Sequence, residues 1–157
     1  MKEHLTADVN IEASFLGTDG NLTYNRIDRA LEVTMHGMIF NANHMSGLAL
    51  ANGLKNSIAK SAIRDGIDWP MINEIRFYCC AGGYGGMFSV ANVLASHINK
   101  PVRAYTTRYS PSGTFGGYDN KMKCFQPKRK NVMIDGVHKM LYFTSEYLIL
   151  PTRRALR

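Results

Sequence analysis

The chain has 157 residues, 45% apolar and 20% charged, the make-up of one globular domain with a real hydrophobic core. No apolar run approaches the roughly 20 residues of a membrane span, and residues 1–8 lack an apolar signal core, so a Sec-type leader is not expected. The net charge of +7 is uneven: residues 1–100 carry 8 Lys/Arg against 9 Asp/Glu, and residues 101–157 carry 11 against 3.

Val9 to Leu16 alternates apolar and polar residues and precedes Thr18-Asp-Gly-Asn21. That pattern predicts a strand entering a hairpin turn, with residues 22–27 as its partner. Residues 31–36 (Leu-Glu-Val-Thr-Met-His) form a second alternating strand, ending at His36-Gly37. Residues 46–63 read as a helix, because Leu50, Leu54, Ile58 and Ala62 recur every four positions. Asp65-Gly66 and Pro70 break the chain before a strand at 74–80, which ends in Cys79-Cys80. The run Ala81-Gly-Gly-Tyr-Gly-Gly86 leads into a helix at about 87–98, and residues 102–107 form another strand. Residues 110–130 read as a long loop, and Met140 to Leu150 as either strand or helix. The β-α-β-α-β middle predicts an α/β fold: a mostly parallel sheet with helices on both faces and an N-terminal hairpin, in one domain over 1–157 whose C-terminal part, 110–157, is basic and loop-rich.

The two strand endings carry the chemistry. Ligands and catalytic groups of open α/β sheets gather beyond the carboxyl ends of the strands. Along 75–80, Cys79 shares a face with Ile75 and Phe77, which leaves Cys80 with Arg76 and Tyr78. Along 31–36, His36 falls with Glu32 and Thr34. Alternation therefore selects His36 and Cys80 as an imidazole–thiol pair, the minimum for a cysteine nucleophile and its base. A helix start behind the glycine run would favour the thiolate. Gly82 and Gly83 would admit a substrate backbone, and the N–H groups of Gly37 and Cys80 would face a developing oxyanion.

Val33-Thr-Met-His-Gly37 and Phe77-Tyr-Cys-Cys-Ala-Gly82 resemble the caspase-like cysteine peptidases, a group that includes caspases, metacaspases, legumains and the self-processing domains of large bacterial toxins. Residues 91–105 are similar to the toxin-associated members. The resemblance covers roughly residues 31–107 and implies a caspase-like fold, with His36 as base and acid, Cys80 as nucleophile and Gly37 with Cys80 as the oxyanion hole. It implies no metal or cofactor. The strand that lines the substrate pocket in that group corresponds to Arg103 to Arg108, where an arginine would favour an acidic side chain. Tyr78 and Ala81 depart from the caspase pattern, so the pocket itself does not carry over.

The expected function is thus a cysteine endopeptidase acting on a protein or peptide through an acyl-enzyme, as a bacterial effector or toxin domain. Three cysteines, two of them adjacent, make no disulfide framework and indicate a cytoplasm-like folding environment. Delivery into a target cell by a non-Sec route, or release from a larger toxin, would leave no mark in these residues. The competing reading is a non-catalytic module of the same fold. It would use Lys121, Lys123, Lys128, Arg129, Lys130, Arg153, Arg154 and Arg157 to bind an acidic partner or cognate inhibitor.

Other motifs point elsewhere. His36, His44, Cys79 and Cys80 lack zinc-ligand spacing. Gly83-Tyr-Gly85 lacks the third glycine of a dinucleotide site. Tyr105, Tyr109, Phe115 and Tyr118 read as packing residues rather than base-stacking ones, so nucleic acid is not the expected partner. His97 reads as a capping or surface residue and His138 as a turn neighbour of Asp135-Gly136. Glu32 and Asp135 are the acids in reach, in principle, to orient His36.

Overall fold

Three short segments with apolar residues at every second position set the centre of the fold. The structure is a computed structural model and describes residues 8–106 and 122–149. The central strands are β3 (Ala30–Thr34), β6 (Glu74–Tyr78) and β7 (Val102–Ala104). Leu31, Val33, Ile75, Phe77, Val102 and Ala104 are completely buried, while Glu32, Glu74 and Arg76 are only half-buried and Arg103 is exposed. Two further strands, β1 (Asp8–Ile11) and β2 (Asn21–Asn25), precede them, and β8 (Lys123–Phe125) follows. The sheet order is β1-β2-β3-β6-β7-β8. A small ribbon, β4 (Gly37–Met38) with β5 (Asn41–Ala42), stands apart from the sheet.

The sheet is mixed rather than mostly parallel. The pairs β3–β6 and β6–β7 are parallel, whereas β1–β2, β2–β3 and β7–β8 are antiparallel. Connection length explains the inner part of this pattern. A parallel pair needs a crossover of about a dozen residues or more, which the stretches holding α1 (Gly47–Arg64) and α2 (Val90–Ile98) supply. The link between β2 and β3 spans only residues 26–29 and forces an antiparallel return.

Among the described residues the helices do not cover both faces. Stepping from β3 to β6 to β7 in one direction with right-handed crossovers places α1 and α2 on the same side, and these two helices pack against each other. Leu50, Leu54, Ile58 and Leu94 join the strand residues in one core. On the opposite face Arg76 reaches Glu74 at 2.8 Å, Asp28 at 2.9 Å and Glu32 at 3.4 Å, and Arg103 reaches Glu74 at 2.8 Å. Burial works against the ionised Glu74, but the hydrogen bonds from Arg103 and Arg76 prevail and hold its carboxyl below the usual range.

Local chemistry fixes the helix ends. Ser46 and Ser89 cap α1 and α2 by accepting from the N–H groups of Ala49 and Asn92. Asn99, in the left-handed region, terminates α2. The segment readable as strand or helix is helical as far as Ile149, and Leu150 lies outside the described residues. Asn131 caps α3 (Val132–Thr144), which continues as a π-helical turn, Ser145–Ile149. The N-terminal hairpin is present, but β1 stops at Ile11 and Ser14–Leu16 forms a 3-10 turn that buries Leu16.

His138 is a buried helix residue, not a turn neighbour. Its Nδ1 donates to the Phe88 carbonyl and its Nε2 accepts from the Gly47 N–H, both at 2.8 Å. That tautomer is neutral, and burial pushes the imidazole pKa down, against smaller opposing effects of Phe88 and Asp135. His97 is likewise no surface cap: it pairs with Asp135 at 2.8 Å and ties α2 to α3.

Candidate functional site

The parallel register of β3 and β6 brings the two predicted endings side by side. Thr34 pairs with Tyr78, and the next residue, Met35, donates its N–H to the Tyr78 carbonyl at 3.2 Å. The paired register ends there, and His36 and Cys80 each lie two positions beyond it. Met35 and Cys79 are buried in the helix-side core, while His36 is exposed and Cys80 half-buried. Alternation thus assigns the inward and outward members of both endings correctly. Beyond β3, Gly37 touches the Cys79–Cys80 turn so closely that an added Cβ would collide with the Cys79 sulfur and lie 3.4 Å from the Cys80 carbonyl oxygen.

The acid facing His36 is Asp19. His36 Nε2 donates to Asp19 Oδ2 at 3.1 Å, with both side chains mostly solvent-exposed (80% and 73%). Glu32 and Asp135 are engaged elsewhere, by Thr23 and Arg76 and by His97 respectively. The antiparallel register contains the missed signal: Asn21 pairs with Thr34, so two positions further Asp19 stands opposite His36.

The other predicted residues are placed differently. Burial raises the Cys79 thiol well above its ordinary pKa, so it is an inert core group. Gly82 and Gly83 are buried. A Cβ at Gly82 would lie 2.7 Å from the Phe77 ring, and one at Gly83 would lie 2.9 Å from the Phe125 ring. Their smallness therefore serves packing rather than substrate access, and the Gly83 N–H is committed to the Tyr105 carbonyl at 2.8 Å. Helix α2 begins at Val90, after a separate 3-10 turn at Gly86–Phe88, rather than directly behind the glycines. Arg103 pairs with Arg76 in the register, four residues short of Cys80, and its guanidinium is bound to Glu74. Arg108 and the aromatics Tyr109, Phe115 and Tyr118 lie outside the described residues, as do Lys121 and the arginines at 153, 154 and 157.

Beyond His36 the chain forms one wall of a cleft of about 150 Å³, lined by His36, Gly37, Met38, Asn41, Asn43 and His44. The C-terminal end of α3 holds this loop. Asn41 Nδ2 donates to Ser145 Oγ at 3.2 Å and to Glu146 Oε2 at 2.8 Å. His44 Nδ1 lies 2.7 Å from Glu146 Oε1, and the Tyr142 hydroxyl donates to the His44 carbonyl at 3.0 Å. Among the described residues, no three His, Cys, Asp or Glu side chains converge as a metal site, and no helix is long and apolar enough to cross a membrane.

The family model described as secreted effector protein SteB matches residues 30–141. This chain belongs to the SteB secreted effector family. The matched stretch runs from β3 into α3 and contains His36, Gly37, His44 and Cys80, while Asp19 and Glu146 fall outside it. No curated protein and no solved structure matches the chain. The expectation of an effector thus holds at family level.

Proposed function

We propose that this effector is a cysteine peptidase in which Cys80 is the nucleophile and His36 its base and acid. The observation supporting this reading is the parallel pairing of β3 and β6, which ends at Thr34 and Tyr78, two positions before an exposed imidazole and a half-buried thiol respectively. The crossover of α1 between adjacent parallel strands is the arrangement expected of a caspase-like fold. Asp19 adds support by holding Nε2 of His36, which leaves Nδ1 as the nitrogen for the thiol.

In the proposed cycle the thiol proton passes to His36 and the thiolate attacks the carbonyl carbon of a peptide bond. The N–H groups of Gly37 and Cys80 receive the developing oxyanion. His36 then returns the proton to the departing amine, the C–N bond breaks, and water hydrolyses the thioester. Incubating the protein with a proteome-derived peptide library tests this, with products read by mass spectrometry. Wild type and Cys79→Ala are expected to cut at common sites, and Cys80→Ala and His36→Ala to leave the library intact. An unchanged product set from Cys80→Ala would end the assignment, as would intact peptides with wild type.

A second reading is favoured by one feature. Lys128, Arg129 and Lys130 are exposed, with no acidic partner among the described residues. A module docking an acidic host protein would use this turn before α3. Reversing all three charges would abolish such binding and leave Cys80 chemistry untouched.

A further inference from the structure

The cleft beside His36 holds a second acid-bound imidazole, and its geometry is tighter than that of the first. Both oxygens of Glu146 approach His44 Nδ1, at 2.7 and 2.9 Å. Asn41, itself buried, donates to the same carboxylate, and the Asn41 side-chain oxygen accepts from the His44 N–H at 2.8 Å. Tyr142 fixes the His44 carbonyl. Glu146 is only 19% exposed, against 73% for Asp19, so solvent screens the His44 pair less. A carboxylate on Nδ1 selects the Nδ1–H tautomer and leaves Nε2 as a proton acceptor. Nε2 of His44 has no partner among the described residues, and the ring lines the cleft with His36 and Gly37. Holding Nδ1 by an acid while Nε2 takes and returns a proton is the division of roles in acid–imidazole catalysis.

We propose that His44 is a second proton-transfer group of this site, with Glu146 as its positioning residue, and that it activates the water that clears the acyl group from Cys80. The inference rests on the peptidase reading. In the step assigned to it, water gives a proton to His44 Nε2 while its oxygen bonds to the acyl carbon. The C–S bond breaks, Cys80 leaves as thiolate, and the carboxylic acid product departs. Cys80 does not itself line this cleft of about 150 Å³, but Gly37, which does, packs directly against the Cys79–Cys80 turn.

The test uses the full chain and p-nitrophenyl acetate as acyl donor. Release of p-nitrophenol reports acylation, and loss of the acetyl mass from the Cys80 peptide reports deacylation. His44→Gln is expected to keep the acylation burst and slow deacylation about 100-fold, the lower range for general-base catalysis. Glu146→Gln is expected to slow it less and to change its pH profile. Nitrogen-15 NMR of wild type is expected to find His44 as the Nδ1–H tautomer, and Glu146→Gln to mix the two tautomers. Equal deacylation by His44→Gln and wild type, or an Nε2–H tautomer in wild type, would overturn the assignment while leaving the peptidase reading intact. No burst with wild type would remove both. Thermal melts of each variant separate a lost fold from a lost proton path.

Discussion

Replacing Gly37 by alanine strikes the junction on which the site depends. The added Cβ would collide with the Cys79 sulfur and lie 3.0 Å from the Asn41 carbonyl oxygen. Neither neighbour yields easily: Cys79 is packed in the core, and the Asn41 backbone belongs to β5. Overfilling a packed site of this kind costs about 1–3 kcal/mol. For a chain of this size each kcal/mol lowers Tm by about 2–4 °C, so a fall of roughly 2–12 °C is expected in a thermal melt followed by circular dichroism. Gly136→Ala is the matched control. It lies inside α3 with nothing within 4 Å of the added atom, and alanine there should stabilise by about 0.5–1 kcal/mol. A Gly37→Ala variant as stable as wild type would mean that the endings of β3 and β6 are not in contact.

Stability should fall with acid through His138. Its folded pKa is depressed, so below about pH 6.5 the unfolded imidazole takes up a proton that the folded one refuses. Its contribution is complete above that pH and is lost as pH falls towards the folded value. Urea midpoints at pH 7.5 and 5.5 should therefore differ more for wild type than for His138→Gln, and equal differences would refute the assignment. Brief treatment of the native protein with iodoacetamide should label Cys80 and spare Cys79, whose thiol is buried; peptide mapping that found Cys79 labelled would contradict the core placement.

Much of the arrangement was legible because it depends on local pattern. Alternation along 31–36 and 74–80 separated Met35 and Cys79 from His36 and Cys80, and the four-residue recurrence from Leu50 to Ala62 marked α1. The same alternation also carried a message opposed to two covered faces. Strands buried on both sides read as continuous apolar runs, whereas Glu32, Arg76 and Arg103 announce a solvated face. Asp19 was reachable too, had residues 22–27 been registered against 31–36 as a second hairpin. Other features were beyond local reading. Asp135-Gly136 resembles a turn, but Asn131 caps a helix through it, and His138 is held by groups 91 and 50 residues away. The glycines at 82 and 83 read as substrate access because local pattern does not show their packing partners, the Phe77 ring beneath the turn and Phe125 from the distant β8. Glu146 gave no signal, since its partners lie about a hundred residues back in the chain.

The central claim is that His36 acts on the Cys80 thiol, and the rate of Cys80 alkylation at pH 7 tests it most directly. Wild type should react with iodoacetamide at least about tenfold faster than His36→Ala, since an imidazole acting on the thiol takes up its proton as the sulfur is alkylated. Identical rates in a variant that retains its melting temperature would contradict the account.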